Sequence, residues 1–369
     1  MEISTDRLER SRRPTGRAFA ALVFCALTMT MVSGACFGET FDGFLGRCWP
    51  QSEETSLASY STSIPPPPAR TTAGIDAAAS DYEAAIRRYD TIIANDPDNA
   101  LAYGYRGYSH AALGRYEDAI RDYSRAMELR PEDPTLYNNR GSAYAALGRY
   151  GDAVPDYDRA VALDPWFHRA YDNRGVALSN LGELDQAIRD FGRAIMLKPD
   201  DPLPYNNRGS AYADLGQHER AIEDFGQALE IDPKFVRAFD NRGTAYADLG
   251  LYEDAIRDFS QAIAINQQDP LPRNNRGTAL AQLAQYGEAL EDFDRAIELD
   301  PDLHKAYKNR GNTYVDLGRF DEAVRDFDRA IQLNPHDPRI YQARSFAHKS
   351  LGNHAQSEQD LEKAAELAP

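Results

Sequence analysis

Two sets of polar side chains recur at a spacing of 34 residues, and both could hold other polar groups. An asparagine returns six times in succession, and its amide offers a hydrogen-bond donor and an acceptor, as a peptide unit does. An arginine follows each asparagine, and its planar guanidinium matches a carboxylate with two parallel hydrogen bonds. The asparagines are Asn139, Asn173, Asn207, Asn241, Asn275 and Asn309.

Residue patterns that support catalysis or metal binding are not found in the sequence. The seven histidines are scattered, without the HExxH arrangement or the Cys–His spacing of a zinc site. No glycine pattern typical of phosphate-binding loops occurs. We therefore predict a protein that is not an enzyme and that uses no cofactor and no metal.

The 34-residue period extends well beyond these polar residues. Windows that begin at residues 100, 134, 168, 202, 236, 270 and 304 align without gaps, and we number the positions within each window from 1 to 34. Position 8 is Gly, positions 20 and 27 are Ala, and position 24 is Tyr or Phe in all seven windows. Position 32 is Pro except at Gln267. Such a period predicts a stack of similar units instead of one globular core.

The spacing within a window predicts two helices. Positions 4, 7, 8 and 11 share one face of a first helix, and positions 20, 24 and 27 share one face of a second. A glycine at position 15 in most windows ends the first helix, and the proline at position 32 stops the second. The small residues let the two backbones approach, and the aromatic residues fill the remaining volume.

This pattern resembles the tetratricopeptide repeat, which has an aromatic residue at position 4, Gly at 8, Tyr at 11, Ala at 20 and 27, and Pro at 32. Residues 100–337 form seven such repeats, residues 81–99 a preceding half repeat, and residues 338–369 a degenerate capping repeat with Ser345 and Ser357 at positions 8 and 20. The resemblance implies an all-α fold, a right-handed superhelical solenoid of antiparallel helix pairs.

The asparagines at position 6 are the predicted peptide-binding residues. Position 6 lies about 150° from the centre of the core stripe of its helix, so the amides should form a line along one surface. The line resembles the asparagine ladder of the O-GlcNAc transferase repeats, which holds extended peptides by their backbone. The alternative is that these asparagines serve solubility or hydrogen bonding at helix ends.

The arginines at position 7 are predicted to form structural ion pairs. The tetratricopeptide repeat usually has Leu there, and position 23 of this chain is always Asp. A partly buried arginine without a partner would be costly, so each should pair with an aspartate of its own or an adjacent repeat. The pairs predicted are Arg140 with Asp156, Arg174 with Asp190, Arg208 with Asp224, and Arg242 with Asp258.

The N-terminal region differs in composition from the repeats. Residues 1–35 combine five arginines with an apolar run, which resembles a signal peptide cleaved after Ala35; an uncleaved membrane anchor is the alternative. Cys36 could instead carry a lipid, as in bacterial lipoproteins, or pair with Cys48 in an oxidising compartment. Residues 36–80 read as a linker that contains Pro65–Pro68. We expect an exported protein, periplasmic or secreted if bacterial.

Length and charge limit the class of function. The array from residue 100 takes 270 of 369 residues, and the formal net charge is −17, which argues against nucleic acid as a partner. We predict an interaction scaffold that binds an extended peptide segment of a partner protein along its concave surface. The alternative is a lipoprotein adaptor, tethered to the membrane at its N-terminus, for the assembly of a multiprotein complex.

Overall fold

The computed structural model describes residues 75–368, and every regular element in this range is a helix. Seventeen helices follow one another: α1 Ile75–Asn95, α2 Ala100–Ala112, α3 Tyr116–Leu129, α4 Pro134–Ala146, α5 Tyr150–Leu163, α6 His168–Asn180, α7 Leu184–Leu197, α8 Pro202–Asp214, α9 His218–Ile231, α10 Val236–Asp248, α11 Tyr252–Ile265, α12 Pro270–Gln282, α13 Tyr286–Leu299, α14 His304–Asp316, α15 Phe320–Leu333, α16 Pro338–Ser350 and α17 His354–Leu367.

The helices form consecutive antiparallel pairs, and each pair is one 34-residue repeat. The first helix of each repeat, from α2 to α16, packs against the second helix of its own repeat and against that of the preceding repeat. First helices of neighbouring repeats also touch one another. The predicted all-α solenoid of helix pairs is confirmed.

The core is distributed along the stack as a series of small clusters. Where position 24 is aromatic, position 8 is glycine, because a Cβ at Gly175 would lie 2.6 Å from Cε1 of Phe191, the residue at position 24. The alanines at positions 20 and 27, such as Ala187 and Ala194, are fully buried beside that ring. Each cluster draws on two adjacent repeats, so a repeat completes its core only with its neighbour.

Asn99 caps α2 by accepting a hydrogen bond from the backbone N–H of Ala102, and from α4 onward the first helices begin in two alternating ways. In every second repeat an aspartate accepts a hydrogen bond from the second backbone N–H of the helix, and proline occupies the first helical position. These caps are Asp133, Asp201, Asp269 and Asp337. The repeats between them start after Phe167, Phe235 and Leu303, without a side-chain cap. The full period of the array is therefore 68 residues for this feature.

The first helices end at a left-handed residue. Seven glycines at position 15 have φ between 71° and 80°, the conformation that costs glycine least. Ala284 takes the same place with φ of 56°. One further irregularity is Pro155, which lies inside α5 without interrupting it.

The N-terminal end of the array extends beyond the half repeat predicted from the sequence, whereas the C-terminal end has the expected polar last helix. α1 begins at Ile75, before the predicted start of the half repeat at residue 81. The first residues of α1 are rich in alanine, which favours helix. At the other end, Ser345 and Ser357 replace the small apolar pair, and their hydroxyl oxygens lie 2.9 Å apart. Most residues of α17 are exposed, as expected of a terminal repeat.

The predicted signal or anchor segment, Cys36, Cys48 and the proline run lie outside the described residues. From residue 75 to residue 368, no helix combines the length and the apolar character that crossing a membrane requires.

Candidate functional site

Each arginine at position 7 binds the aspartate at position 23 of its own repeat through two hydrogen bonds. Nε and Nη2 donate to the two carboxylate oxygens at 2.5 to 2.9 Å. The sequence alone allowed a partner aspartate in the same repeat or in an adjacent one. In the structure the partner lies in the same repeat. The pairs are Arg106–Asp122, Arg140–Asp156, Arg174–Asp190, Arg208–Asp224, Arg242–Asp258, Arg276–Asp292, Arg310–Asp326 and Arg344–Asp360.

The third guanidinium nitrogen, Nη1, points to position 25 of the preceding repeat. Arg174 reaches Asp158 at 2.7 Å, and Arg140 reaches the hydroxyl of Ser124 at 2.9 Å. Arg208 faces Gly192 instead, where a Cβ would lie 3.6 Å from Nη1. The arginine row therefore joins helices within and between repeats, and its charged groups are already engaged inside the protein.

These contacts favour the charged form of the arginines. The hydrogen bond to Asp190 raises the pKa of Arg174 above its usual value, against the opposing effect of burial. The hydrogen bond to Asp224 acts in the same way on the pKa of Arg208. Because each cation is matched internally, this row is a structural element of the stack.

The asparagine row also joins neighbouring repeats, through a contact that the sequence analysis missed. From the second asparagine onward, Nδ2 donates to the side-chain oxygen at position 5 of the preceding repeat, at 2.9 to 3.1 Å. The bonds run from Asn173 to Asn138, Asn207 to Asp172, Asn241 to Asn206, Asn275 to Asp240, and Asn309 to Asn274. A recurrence of Asn or Asp at position 5 was visible in the sequence and is the signal that points to this contact.

The expected exposure of the asparagine line is wrong for its first half. Asn139, Asn173 and Asn207 are only 5 to 8% exposed, because the adjacent repeat covers the side of the helix that a projection of one repeat leaves open. Asn241, Asn275 and Asn309 are half-buried. The second half of the row is thus the more open one.

The amide oxygens of the row differ in their hydrogen bonding. Oδ1 of Asn139 and Oδ1 of Asn275 accept from the asparagine that precedes each of them, at 3.3 and 3.1 Å. In the part of the chain that the structure describes, Oδ1 of Asn173, Asn241 and Asn309 accepts no hydrogen bond. The repeats of these three have Asp or Lys at position 5, which supply no amide donor there.

We call the side chains at positions 2, 5, 6, 9 and 13 of the first helices the ladder surface, since this spacing places them on one helix face. In α10, α12 and α14 its residues at position 13 are exposed: Asp248, Gln282 and Asp316. At position 2 the uncapped repeats have Arg169, Arg237 and Lys305. The surface therefore has a basic edge at the start of the first helices and a mainly acidic edge at their ends.

Asp240 is the ladder-surface carboxylate with the most altered titration. Burial raises the pKa of Asp240 to about 6; the hydrogen bond from Asn275 opposes this, and the charge of Asp269 reinforces it. Among residues 75–368, no three His, Cys, Asp or Glu side chains lie together as a metal site would require.

Family models match most of the array. A model described as TPR repeat matches residues 107–148, 177–216 and 243–284, and models described as tetratricopeptide repeat match residues 134–167, 202–235, 272–303, 304–337 and 338–369. No curated protein matches the chain.

Several crystal structures share the fold. A tetratricopeptide repeat protein from Parabacteroides merdae is 20% identical over 71% of this chain and 99% of its own, with a TM-score of 0.54. Cut9–Hcn1 of the APC/C is 18% identical over 77% and 52%, with a TM-score of 0.55. Yeast Tom70 is 20% identical over 80% and 64%, with a TM-score of 0.52. The chain spans about half of the Cut9–Hcn1 chain and just under two thirds of Tom70.

The helix pairs, the glycine and alanine contacts at fixed positions and the family matches over more than half of the sequence agree with one another. Repeats of this type typically serve as non-catalytic scaffolds for protein interactions. The chain belongs to the tetratricopeptide repeat family.

Proposed function

We propose that this protein binds an extended segment of a partner protein along the ladder surface of α10, α12 and α14. Two amide oxygens that lack a donor carry this proposal. Oδ1 of Asn241 and Oδ1 of Asn309 are acceptors without a donor among the described residues, in the half of the row that is open. A backbone N–H of an extended chain supplies the donor that these oxygens lack.

The charges on the two edges of the ladder surface favour a bound segment in which acidic and basic side chains alternate. In an extended chain successive side chains point to opposite sides. Acidic side chains would face the basic edge that includes Lys305, and basic side chains would face Asp248 and Asp316. Because the two edges carry opposite charges, the bound segment should be mixed in charge instead of uniformly acidic or basic.

Site-specific photo-crosslinking of the full chain tests the location of the partner. A photoreactive amino acid replaces Gln282 or Asp316 on the ladder surface, or, as controls, the exposed Arg257 or Arg325 on the second helices. In an extract of the source cells we expect the two ladder positions to crosslink the same short segment of one partner. Equal crosslinking from the control positions would contradict the proposal.

A pair of double variants separates partner binding from the joint between repeats. Asn241→Ala with Asn309→Ala removes both the free oxygens and the bonds to Asn206 and Asn274. Asn206→Ala with Asn274→Ala breaks the same joints and keeps the oxygens of Asn241 and Asn309. Crosslinking should fall only in the first double variant. An equal decrease in both would mean that the asparagines act through the stability of the stack alone.

Export and tethering form a separate proposal, supported by the sequence of residues 1–36 and not by the fold. The scaffold would then act outside the cytoplasm, secreted after cleavage at Ala35 or tethered through a lipid on Cys36. The mass of the mature N-terminal peptide distinguishes cleavage, lipidation and retention of the segment. A mature chain that starts at Met1 and is recovered from the cytoplasm would contradict export.

A further inference from the structure

Position 26, on the second helices, carries an arginine in most repeats, and this arginine usually has a carboxylate partner. Arg159 contacts Glu132 at 3.5 Å, and Arg329 contacts Asp302 at 3.2 Å; both acids lie at position 33 of the preceding repeat. Arg295 instead contacts Glu298, at position 29 of its own repeat, at 2.7 Å. Arg125 contacts acids at both places, Asp98 and Glu128.

Arg193 is the exception, because both acidic places are taken by apolar residues. Position 33 of the preceding repeat is Trp166, whose ring centroid lies 5.8 Å from the guanidinium carbon. Position 29 is Met196, with its sulfur 3.3 Å from Nη1 of Arg193. Within residues 75–368, no carboxylate lies within ion-pair distance of Arg193.

The two apolar residues at this place are also unusually exposed. Trp166 is 74% and Met196 71% exposed, more than any other large hydrophobic residue in the described chain. Neither contributes to a core cluster, so folding of the array does not account for them. Trp, Met and Arg are the residue types that are enriched where protein surfaces meet.

We propose that Trp166, Arg193 and Met196 form a second docking site, for a segment of a partner protein that presents a carboxylate beside an apolar side chain. The carboxylate takes the place at Arg193 that acids of this chain fill at the other arginines. The apolar side chain covers Trp166 and Met196. The site lies on the α5–α6 connection and on α7, whereas the ladder surface lies on first helices, so it does not depend on the function proposed above.

Substitutions that copy the residues of other repeats at the same positions should leave the fold intact. Trp166→Asp and Met196→Glu introduce the residues found at Asp302 and Glu298, and each restores an internal partner to Arg193. Glu132→Gln is the matched control, because Glu132 stands at position 33 one repeat before Trp166. The probe is a display library of random 12-residue peptides, selected on the full chain and counter-selected on the Trp166→Asp protein.

Enriched peptides should share an Asp or Glu next to an aliphatic or aromatic residue. Fluorescence anisotropy of the synthetic peptides, each carrying a dye at one end, then measures their binding to every variant. We expect about tenfold or greater weakening by Trp166→Asp, by Met196→Glu and by an acid-to-amide change in the peptide. Glu132→Gln and Asn241→Ala should leave the affinity unchanged, which separates this site from the ladder surface.

Three results would overturn the proposal. One is that no peptide distinguishes the wild-type protein from Trp166→Asp. Another is that the peptides that do so lack an acidic residue. The third is that sedimentation shows a dimer of the wild-type chain that Trp166→Asp abolishes, since a second copy would then be the occupant.

Discussion

Position 7 usually carries Leu in the tetratricopeptide repeat. In this protein it carries Arg, which pairs with the aspartate at position 23. Asp224 is the carboxylate partner of Arg208, and Gly192 offers no side chain to the third guanidinium nitrogen. Asp224 is buried, so its charge has no access to water as a substitute partner. The pair therefore holds the two helices of a repeat together only while both members are present.

Removal of one member of this pair should be costly. We expect Arg208→Met to lower the free energy of unfolding by about 3 to 5 kcal/mol, because it leaves a buried carboxylate unpaired. Urea denaturation followed by circular dichroism measures the change. Arg257→Met is the matched control, since its exposed pair with Asp254 should contribute less than about 1 kcal/mol. The double variant Arg208→Met, Asp224→Leu should recover most of the loss; no recovery would contradict this account.

Asp240 should make the stability of the array depend on pH. Its pKa is about 6 in the folded chain and about 3.9 when unfolded, so the folded state binds the proton more tightly. This group therefore favours folding below about pH 4, and that contribution is lost as the pH rises through about 6.

Asp240→Asn should remove the dependence. Asn206 and Asn274 already fill position 5 with an amide that accepts the same hydrogen bond, so the joint to Asn275 is kept. We expect stability at pH 7.5 to rise by about 1 kcal/mol and to match the wild type at pH 4. Glu253→Gln makes the same change of charge at an exposed site and should show no such trend. A gain for Asp240→Asn that is equal at both pH values would point to a different cause.

These residues also show what the sequence could and could not predict. Arg at 7 and Asp at 23 are invariant across the repeats, so their pairing could be inferred from matching chemistry alone. The asparagine joint was missed because position 5 varies between Asn, Asp and Lys, and because a projection of one helix contains no neighbouring repeat. The lack of a carboxylate partner at Arg193 became visible only once contacts showed which acids pair with the other arginines.

Individual helices carry two departures from the repeat pattern, and each has a cost that one substitution can measure. Pro155 lies inside α5 and lacks the N–H that would bond to the preceding turn. Ala284 holds a left-handed conformation where seven other repeats have glycine. Both departures persist because packing between repeats sustains the helix ends and the helix interior.

Pro155→Arg should stabilise α5. Arginine occupies the same position at Arg121, Arg189 and Arg257, and the side chain of Pro155 is exposed, so no packing is lost. The expected gain is up to about 3 kcal/mol, from the restored hydrogen bond and the better helix propensity. Thermal unfolding measures it, and Pro155→Gly should gain about 1 kcal/mol less. A loss on substitution would show that the proline makes a contact that stabilises the repeat.

Ala284→Gly should stabilise the end of α12. The left-handed conformation costs a residue with a Cβ about 1 to 2 kcal/mol relative to glycine. Gly250→Ala, at the equivalent place after α10, is the reverse control and should lose a similar amount. Hydrogen exchange of the backbone amides around 283–286 reports the local change. Similar exchange in all three proteins would contradict the expected strain.

At the scale of the whole molecule, each repeat is stabilised by packing against its neighbours. The period, the helix types and the positions of the small residues were sufficient to predict this architecture from the sequence. The start of α1 could not be placed from the period because its alanine-rich first turns lack the repeat pattern. The polar sequence of α17 identifies the terminal repeat. Truncation tests the role of this repeat.

Removal of residues 338–369 should destabilise the adjacent repeats. Ile340 and Ala347 of α16 are fully buried against Phe327 of α15, and exposure of that ring alone should cost about 1.5 to 3 kcal/mol. Removal of residues 354–369 alone keeps α16 in place and should cost less. Thermal unfolding and light scattering of both truncated chains check this. The account is wrong if the two truncations behave alike.

The alternation of capped and uncapped first helices has a consequence for how such a gene can change length. Excision of two repeats, such as residues 202–269, would rejoin the chain with every aspartate cap and every unbonded amide oxygen still in phase. Excision of one repeat would place two helices of the same kind in succession and shift all later ones. Recombination between similar gene segments can therefore lengthen or shorten this protein in steps of 68 residues while the spacing of its acceptor groups is inherited unchanged.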